Sequence, residues 1–313
     1  MTTPQILFCG EALIDFITTD GATYRATPGG SPFSASKAAA QAGARSGFCG
    51  AISTDIFGDQ ILSDLAKYGV ETTFAPRIEL PTALGFIQVT DQEHPKYAFF
   101  DRESAMVNMR PSLPEGTLGK GDVLGLGSIS LVVAPGADNI TEFALTQAKV
   151  ATLAVDPNVR PSIIADHPLW RPRMDQLLAH ADLVRVSTED LEFYKPGVSP
   201  DEFANARLAE APNLVIVTDG ENGAEAWTRS GYTKTAGRHA TGGDTVGAGD
   251  TLFGYSLAWL AEQGATEKSA LETLGDDALA EMLNLATCAA ALNCETVGCN
   301  PPARAYVDRA LAG

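Results

Sequence analysis

Asp244-Thr245-Val246-Gly247-Ala248-Gly249-Asp250 places two glycines one residue apart and a carboxylate directly after them. Beyond this stretch Leu252, Phe253, Leu257 and Leu260 recur at three- and four-residue spacings, which builds one apolar helical face. Gly264, after Gln263, supplies a C-terminal stop. Gly247-Ala248-Gly249 therefore reads as the turn that feeds a helix N-terminus. Glycine lets backbone N–H groups approach a ligand closely, and the helix dipole adds positive potential there. This is an anion site, and phosphate is the expected anion. Local sequence leaves two readings of Asp250 open. A carboxylate in the first turn of a helix is ordinary capping. Beside a phosphate it would repel the ligand unless it had a task, and accepting the proton of an attacking hydroxyl is such a task.

Other polar groups fall at the ends of apolar runs. Asp15 follows the short run Ile6 to Gly10, at the side of a sheet where α/β proteins bind ligands. Its two carboxylate oxygens can accept from ligand donors; a turn carboxylate is the alternative. Ala151 to Val155 runs into Asp156-Pro157-Asn158-Val159-Arg160-Pro161, a loop stiffened by its prolines. Asn158 offers a donor and an acceptor, and Arg160 a fixed-charge fork for phosphate or sugar oxygens, or else a surface ion pair. Ala181 to Val186 leads to Ser187-Thr188-Glu189-Asp190, which fits helix capping. Leu214 to Val217 leads to Thr218-Asp219-Gly220-Glu221-Asn222-Gly223.

The elements that must position these groups alternate. The apolar runs read as strands, and the Ala-rich stretches Phe33 to Ala42 and Met282 to Leu292 as helices. Pro28 to Pro32 reads as a loop. The order predicts a doubly wound, mostly parallel sheet with helices on both faces. Two pairs of strands stand apart: a hairpin around Asp20-Gly21, and Leu84–Thr90 with Tyr97–Phe100 around the polar turn 91–95. They predict a small extra sheet, inserted at about 16–27 and 84–102 of a single domain over 1–313.

Lys plus Arg is 22 against 39 for Asp plus Glu, a net charge of −17. That balance argues against nucleic acid or an anionic membrane as partner, so an anionic substrate must be met by local positive groups. No apolar run reaches the ~20 residues of a membrane span. The opening residues lack a basic leader region, and the five scattered cysteines read as reduced, buried thiols, so a cytoplasmic location is expected.

Asp-Thr-x-Gly-Ala-Gly-Asp resembles the C-terminal signature of the ribokinase-like (PfkB) carbohydrate kinases, and the resemblance extends from residue 6 to about residue 300. Gly29-Gly30 before an Ala-rich helix resembles the N-terminal signature, completed by Gly50 to Asp59. Ser31 or Ser34 stands where many members have Asn. Asp-Pro-Asn-x-Arg at 156–160 is a further match, and Gly127-Ser128-Ile129-Ser130 resembles the same stretch in bacterial fructokinases. The resemblance implies an ATP- and Mg²⁺-dependent sugar kinase with fructose as the expected acceptor; 2-keto-3-deoxygluconate and ribose kinases are the near alternatives. A non-catalytic sugar- or nucleotide-sensing protein is the alternative of another class.

Carried over by the resemblance, Gly247, Ala248 and Gly249 form the anion hole, Asp250 is the base and Arg160 assists. Asp15, Gly29, Gly30, Asn158, Phe100 and Arg102 face the sugar. For Arg102, a solvated charge is the local alternative. Ser187, Thr218, Gly220, Gly223, Gly249 and Asn284 serve ATP, and Asp190 or Glu189 serves magnesium through water. The small sheet is a lid through which a homodimer can form. Backbone oxygens near the two ends of the turn 293–298 are the expected ligands of a potassium ion.

Overall fold

The structure is a computed structural model, described here for residues 5–18, 20–90, 93–164 and 168–313, without the side chains of 89, 90 and 93–97. Residues 1–4 at the start of the chain and the tip of the polar turn (91–92) lie outside the described residues.

In chain order the strands are β1 (Gln5–Cys9), β2 (Leu13–Thr18), β3 (Arg25–Gly29), β4 (Arg45–Phe48), β5 (Ile52–Ser53), β6 (Arg77–Ile78) and β7 (Leu84–Thr90). They continue with β8 (Glu93–Phe100), β9 (Val123–Gly127), β10 (Thr152–Asp156), β11 (Leu183–Ser187), β12 (Leu214–Thr218), β13 (Ala224–Trp227) and β14 (Tyr232–Thr235). Eight form one sheet in the order β14-β13-β12-β11-β10-β9-β1-β4. The pairs from β4 to β12 are parallel, and β13 and β14 add an antiparallel edge. β1, β9, β10 and β12 are buried at every position, as strands covered on both faces must be. Alternation along β1 sends Ile6 and Phe8 into one core and Leu7 and Cys9 into the other. The sheet is thus doubly wound with helices on both sides. The chain leaves β1 toward β4 and returns on β1's other flank as β9, which creates the topological switch point where such sheets bind ligands.

The helix Ala248–Glu262 is buried from Asp250 through Ala261 and lies in the core with the helices Ser31–Gln41 and Asp276–Asn293. Its contact with Ser31–Gln41 depends on Gly254. A Cβ there would sit 2.5 Å from the Ala35 carbonyl oxygen and 2.7 Å from the Ala38 Cβ. The missing side chain lets the two helices close up, and both begin at the same end of the sheet.

A second, four-stranded sheet has the order β3-β2-β7-β8. Its first strand starts earlier than the expected insertion at residue 16, so Asp15 lies inside β2 and not in a turn after β1. The expected loop Pro28–Pro32 is also absent. β3 runs to Gly29 and the helix starts at Ser31, so Gly30 alone connects them, with φ 114°. Close packing dictates this: a Cβ on Gly30 would lie 2.5 Å from the Glu11 carbonyl oxygen. The Gly50–Asp59 stretch holds a turn and a helix start. Asp55 caps the helix Ile56–Lys67 by accepting from Phe57 and Gly58 N–H, and accepts from Thr82 as well.

Candidate active site

A cavity of about 460 Å³ opens at the C-terminal ends of the large-sheet strands and extends under the small sheet. Residues following β1, β9, β10 and β11 line it, together with the start of the helix Ala248–Glu262.

The turn that feeds the helix is formed as the sequence predicts. Gly247 caps the helix in the left-handed conformation, φ 75°, and a Cβ there would also collide with Cys299, 2.3 Å from its Sγ. The loop bearing Cys299 is itself held by buried Lys37, which donates to the Cys299 carbonyl at 3.1 Å and to Asp64 at 2.7 Å. Ala248 N–H donates back to Thr245 at 3.2 Å. The amides of Gly249 and Asp250 make no such bond, which leaves two first-turn donors for an anion.

Asp250 is 8 % exposed and faces this cavity. Its Oδ1 accepts from Ser31 Oγ at 2.6 Å and from Asn158 Nδ2 at 3.1 Å. Burial pushes its pKa up to about 6, against the pull of the Ser31 hydroxyl and the Arg160 and Arg185 guanidinium groups. Asp250 is not a helix cap: Gly247 takes that place without a side-chain hydrogen bond. A carboxylate desolvated beside free amides, with a pKa near working pH, is suited to accept a proton.

Asn158 adopts φ 40°, a conformation Asn tolerates better than most residues. Its Oδ1 accepts from Arg160 Nη1 at 2.6 Å, so Arg160, Asn158 and Asp250 form one polar row. Asp190 holds the same loop by accepting from Val159 N–H at 2.7 Å. Its other oxygen accepts from Ser187 N–H at 3.1 Å, closing a capping box with the Ser187 hydroxyl. Both oxygens of Asp190 are therefore committed. Glu189 is exposed at the cavity wall, and among the described residues no group of three His, Cys, Asp or Glu side chains could cage a metal. One accessible carboxylate fits an ion that keeps its waters and binds phosphate oxygens, as Mg²⁺ does.

Asp15 occupies a slot between two glycines. A Cβ on Gly29 would lie 2.3 Å from its Oδ2, and one on Gly85, its β7 partner, 2.6 Å from its Oδ1. Burial raises its pKa to about 7, with Arg160 opposing. Gly29 thus serves the carboxylate of Asp15, in addition to any approach of backbone to ligand.

Asp15, Gly29, Gly30, Asn158, Arg160, Ser187, Glu189, Asp190, Gly247, Gly249 and Asp250 come together around the cavity. Phe100, Arg102 and Asn284 are exposed and outside its lining; Thr218, Gly220 and Gly223, beyond Ser187, also lie outside it, and of these three Gly220 is exposed. Thr218 is buried and accepts from Arg185 Nη2 at 2.5 Å.

Sequence reasoning passed over three lining residues. Glu11 is 1 % exposed and accepts from Ser31 N–H at 3.0 Å and Ser130 N–H at 3.2 Å, which ties the start of one helix to the turn after β9. Ser31 holds Asp250. Arg185 lies within β11, 6 % exposed, and bonds Asp156 at 3.0 Å. An arginine inside the apolar run Leu183-Val184-Arg185-Val186 was the available signal, because a buried guanidinium requires partners.

A doubly wound sheet with a glycine turn at a helix N-terminus, a desolvated carboxylate and a polar cavity fits a small-molecule phosphotransferase. The chain belongs to the pfkB family of carbohydrate kinases, whose model matches residues 3–305. It is similar to the fructokinase of Rhizobium leguminosarum bv. trifolii, 29% identical over 281 residues, 88% of this chain and 85% of that one. Among solved structures it is similar to fructokinase with bound ATP from Xylella fastidiosa, with a TM-score of 0.88, 22% identity and full coverage of both chains. A fructokinase from Vibrio cholerae O395, solved with fructose, ADP and calcium ion, gives a TM-score of 0.83, 24% identity and 98% coverage of both chains.

Proposed function

We propose that this carbohydrate kinase acts as a fructokinase, transferring the γ-phosphoryl group of ATP to a primary hydroxyl of fructose. The observation that carries the reading is the Asp250 carboxylate, held by Ser31 and Asn158 beside the free amides of Gly249 and Asp250. Asp250 takes the hydroxyl proton as the sugar oxygen bonds to the γ-phosphorus. The bond from that phosphorus to its bridging oxygen breaks, and the electron pair leaves with ADP. The first-turn amides, the helix dipole and Arg160 offset charge on the transferring group. Glu189 is the residue that would hold Mg²⁺, and the ion would neutralise phosphate charge when bound. Asp15 orients the sugar hydroxyls.

A neutral polyol suits this cavity better than a sugar acid. Asp15 and Glu11 both line it, and Arg102, a cation that could have met a substrate carboxylate, stands exposed outside the lining. In this reading the chain is one kinase domain, and the β3-β2-β7-β8 sheet is its lid, excluding water that would otherwise accept the phosphoryl group.

The lid also supports self-association. Phe86 stacks on Phe16 at 4.9 Å and meets Tyr24 and Phe100 edge-on at 5.6 and 5.5 Å, while Tyr24 and Phe100 are 43 % and 64 % exposed. An exposed aromatic sheet face is suited to a second copy of itself. Potassium belongs to the same proposal. The loops that would hold it, 244–246 and 293–300, are joined by Gly298 N–H to Asp244 at 2.9 Å and Asn293 Nδ2 to Val246 O at 2.8 Å.

The test is ADP release with ATP and Mg²⁺ across fructose, 2-keto-3-deoxygluconate, ribose and adenosine, with and without K⁺. Highest kcat/KM on fructose is expected. Preference for the sugar acid would overturn the choice of substrate, and sugar binding without ADP release would overturn the catalytic reading.

A further inference from the structure

Arg185 is the second cation of the cavity wall, after Arg160, and nothing in the mechanism above uses it. It projects from the middle strand of three. Its Nη1 donates to the Asp156 carboxylate at 3.0 and 3.3 Å on β10, and its Nη2 donates to Thr218 Oγ1 on β12. The guanidinium therefore joins the C-terminal ends of β10, β11 and β12. Its Nε is buried with no hydrogen-bond partner.

The same group lies against the anion turn. A Cβ on Gly249 would stand 2.8 Å from both Nη1 and Nη2 and 3.0 Å from Cζ. Gly249 thus rests its bare Cα on the guanidinium plane. This gives a physical reason for glycine at that position in addition to access for an anion. A lysine could supply the charge, but not the flat surface or the fork to Asp156 and Thr218.

Several charges share this space. Asp250 is faced by Arg160 and Arg185 on the positive side and Glu11 on the negative side, with the Cys299 thiol also within its field. Arg185 in turn lies within the fields of Asp156, Asp190 and Asp250. Without Arg185 the balance near Asp250 would shift toward the neutral, protonated acid, which cannot serve as a base.

We propose that Arg185 is a positioning residue of the phosphoryl-transfer centre: its guanidinium supports the Gly249 turn and supplies the fixed positive charge that keeps Asp250 ionised. The inference deepens the kinase reading above and rests on it for the rate effect, while the charge effect can be read without turnover.

The experiment compares wild type with Arg185→Lys, Arg185→Met and the double variant Arg185→Met/Asp156→Asn. The double variant removes the acidic partner that Arg185→Met would leave buried and unpaired. The Asp250 carboxyl is followed by pH titration with ¹³C NMR of aspartate-labelled protein, assigned through Asp250→Asn. In parallel, kcat and KM are measured with the best sugar acceptor, and thermal unfolding checks the fold. The expected result is an Asp250 midpoint raised by about one unit in Arg185→Met. It is accompanied by a fall in kcat of about 100-fold. The KM for sugar stays within about threefold, because the loss falls on the transition state. Arg185→Lys is expected to keep the midpoint near that of wild type while losing part of the rate. An unmoved Asp250 midpoint in both Met variants would overturn the proposal, even if their stability or turnover falls. If wild type phosphorylates no sugar, the functional reading fails, and the titration still decides the role of Arg185.

Discussion

The hydroxyl of Ser31 donates to Oδ1 of Asp250 at 2.6 Å, joining residues 219 positions apart. The bond is made between the first turns of two helices that Gly254 allows to pack closely. It favours the charged form of Asp250. Ser31→Ala should therefore move the acid limb of kcat/KM to higher pH. It should cost stability by about 1 kcal/mol for the lost bond. A pH–rate profile and a denaturant titration check both; an unshifted limb would remove Ser31 from the machinery of the base.

Asp250→Asn keeps the shape and the two acceptor contacts but cannot take a proton. Turnover should fall by about 10³-fold or more. The variant should also be more stable than wild type near neutral pH, because a buried carboxylate with a raised pKa carries a desolvation cost. The sign follows from proton counts. Between the ordinary carboxylate range near 4 and its folded value of about 6, Asp250 binds more protons folded than unfolded, so wild-type stability from this group is lost as pH rises. The advantage of Asp250→Asn should grow from about pH 4, level off above about 6, and reach on the order of 1–3 kcal/mol. Urea titrations at several pH values would measure it.

The pH dependence of activity should show two acidic groups. With Asp250 at about 6, kcat should fall tenfold per unit below that value. Asp15, raised to about 7 by burial, should become a poorer acceptor for sugar hydroxyls as it protonates, so KM for sugar should begin to rise at a higher pH than kcat begins to fall. Separate profiles of kcat and KM would show the two steps.

Gly85→Ala should act on sugar binding. Its new Cβ would stand 2.6 Å from Asp15 Oδ1 and 3.2 Å from the Phe99 ring, on a strand where neither can move far. The expected result is a rise of about tenfold or more in KM for sugar, with a smaller change in kcat, because the displaced group orients the substrate and does not move its proton. Steady-state kinetics at saturating ATP would separate the two constants.

Glu189 and Asp190 should part company. Glu189→Gln should leave the melting temperature unchanged and raise the Mg²⁺ concentration needed for half-maximal rate. Asp190→Asn should lower the melting temperature, because a capping box and the Val159 contact depend on its two oxygens. Metal titrations and thermal scans of both variants provide the check. Equal stability with equal metal dependence would mean that neither carboxylate serves the ion.

Much of this site was legible because its chemistry sits at chain breaks. Asn158 follows an apolar run, and Gly247 and Asp250 stand just before one, so each is a polar or glycine residue at the edge of a buried element. The large sheet was legible for a related reason: strands buried on both faces read as unbroken apolar runs. The start of the small sheet was not. Leu13 to Thr18 mixes apolar residues with Asp15, and Pro28-Gly29 looks like a loop until β2 is seen to hold it in register. Arg185, Glu11 and Ser31 were missed because each acts through a partner far away in sequence. Only the fold reveals that Arg185 lies beneath Gly249, or that Ser31 reaches Asp250.

The single-residue junction at Gly30 has a mechanical consequence. β3 ends at Gly29, and the helix whose first residue holds Asp250 begins at Ser31. The small sheet and the hydroxyl that orients the base are therefore geared together, with no slack between them. Rotation of that sheet at Gly30 would transmit torque to Ser31, so under the proposed function the arrival of substrate beneath the sheet and the aiming of Asp250 would be one movement.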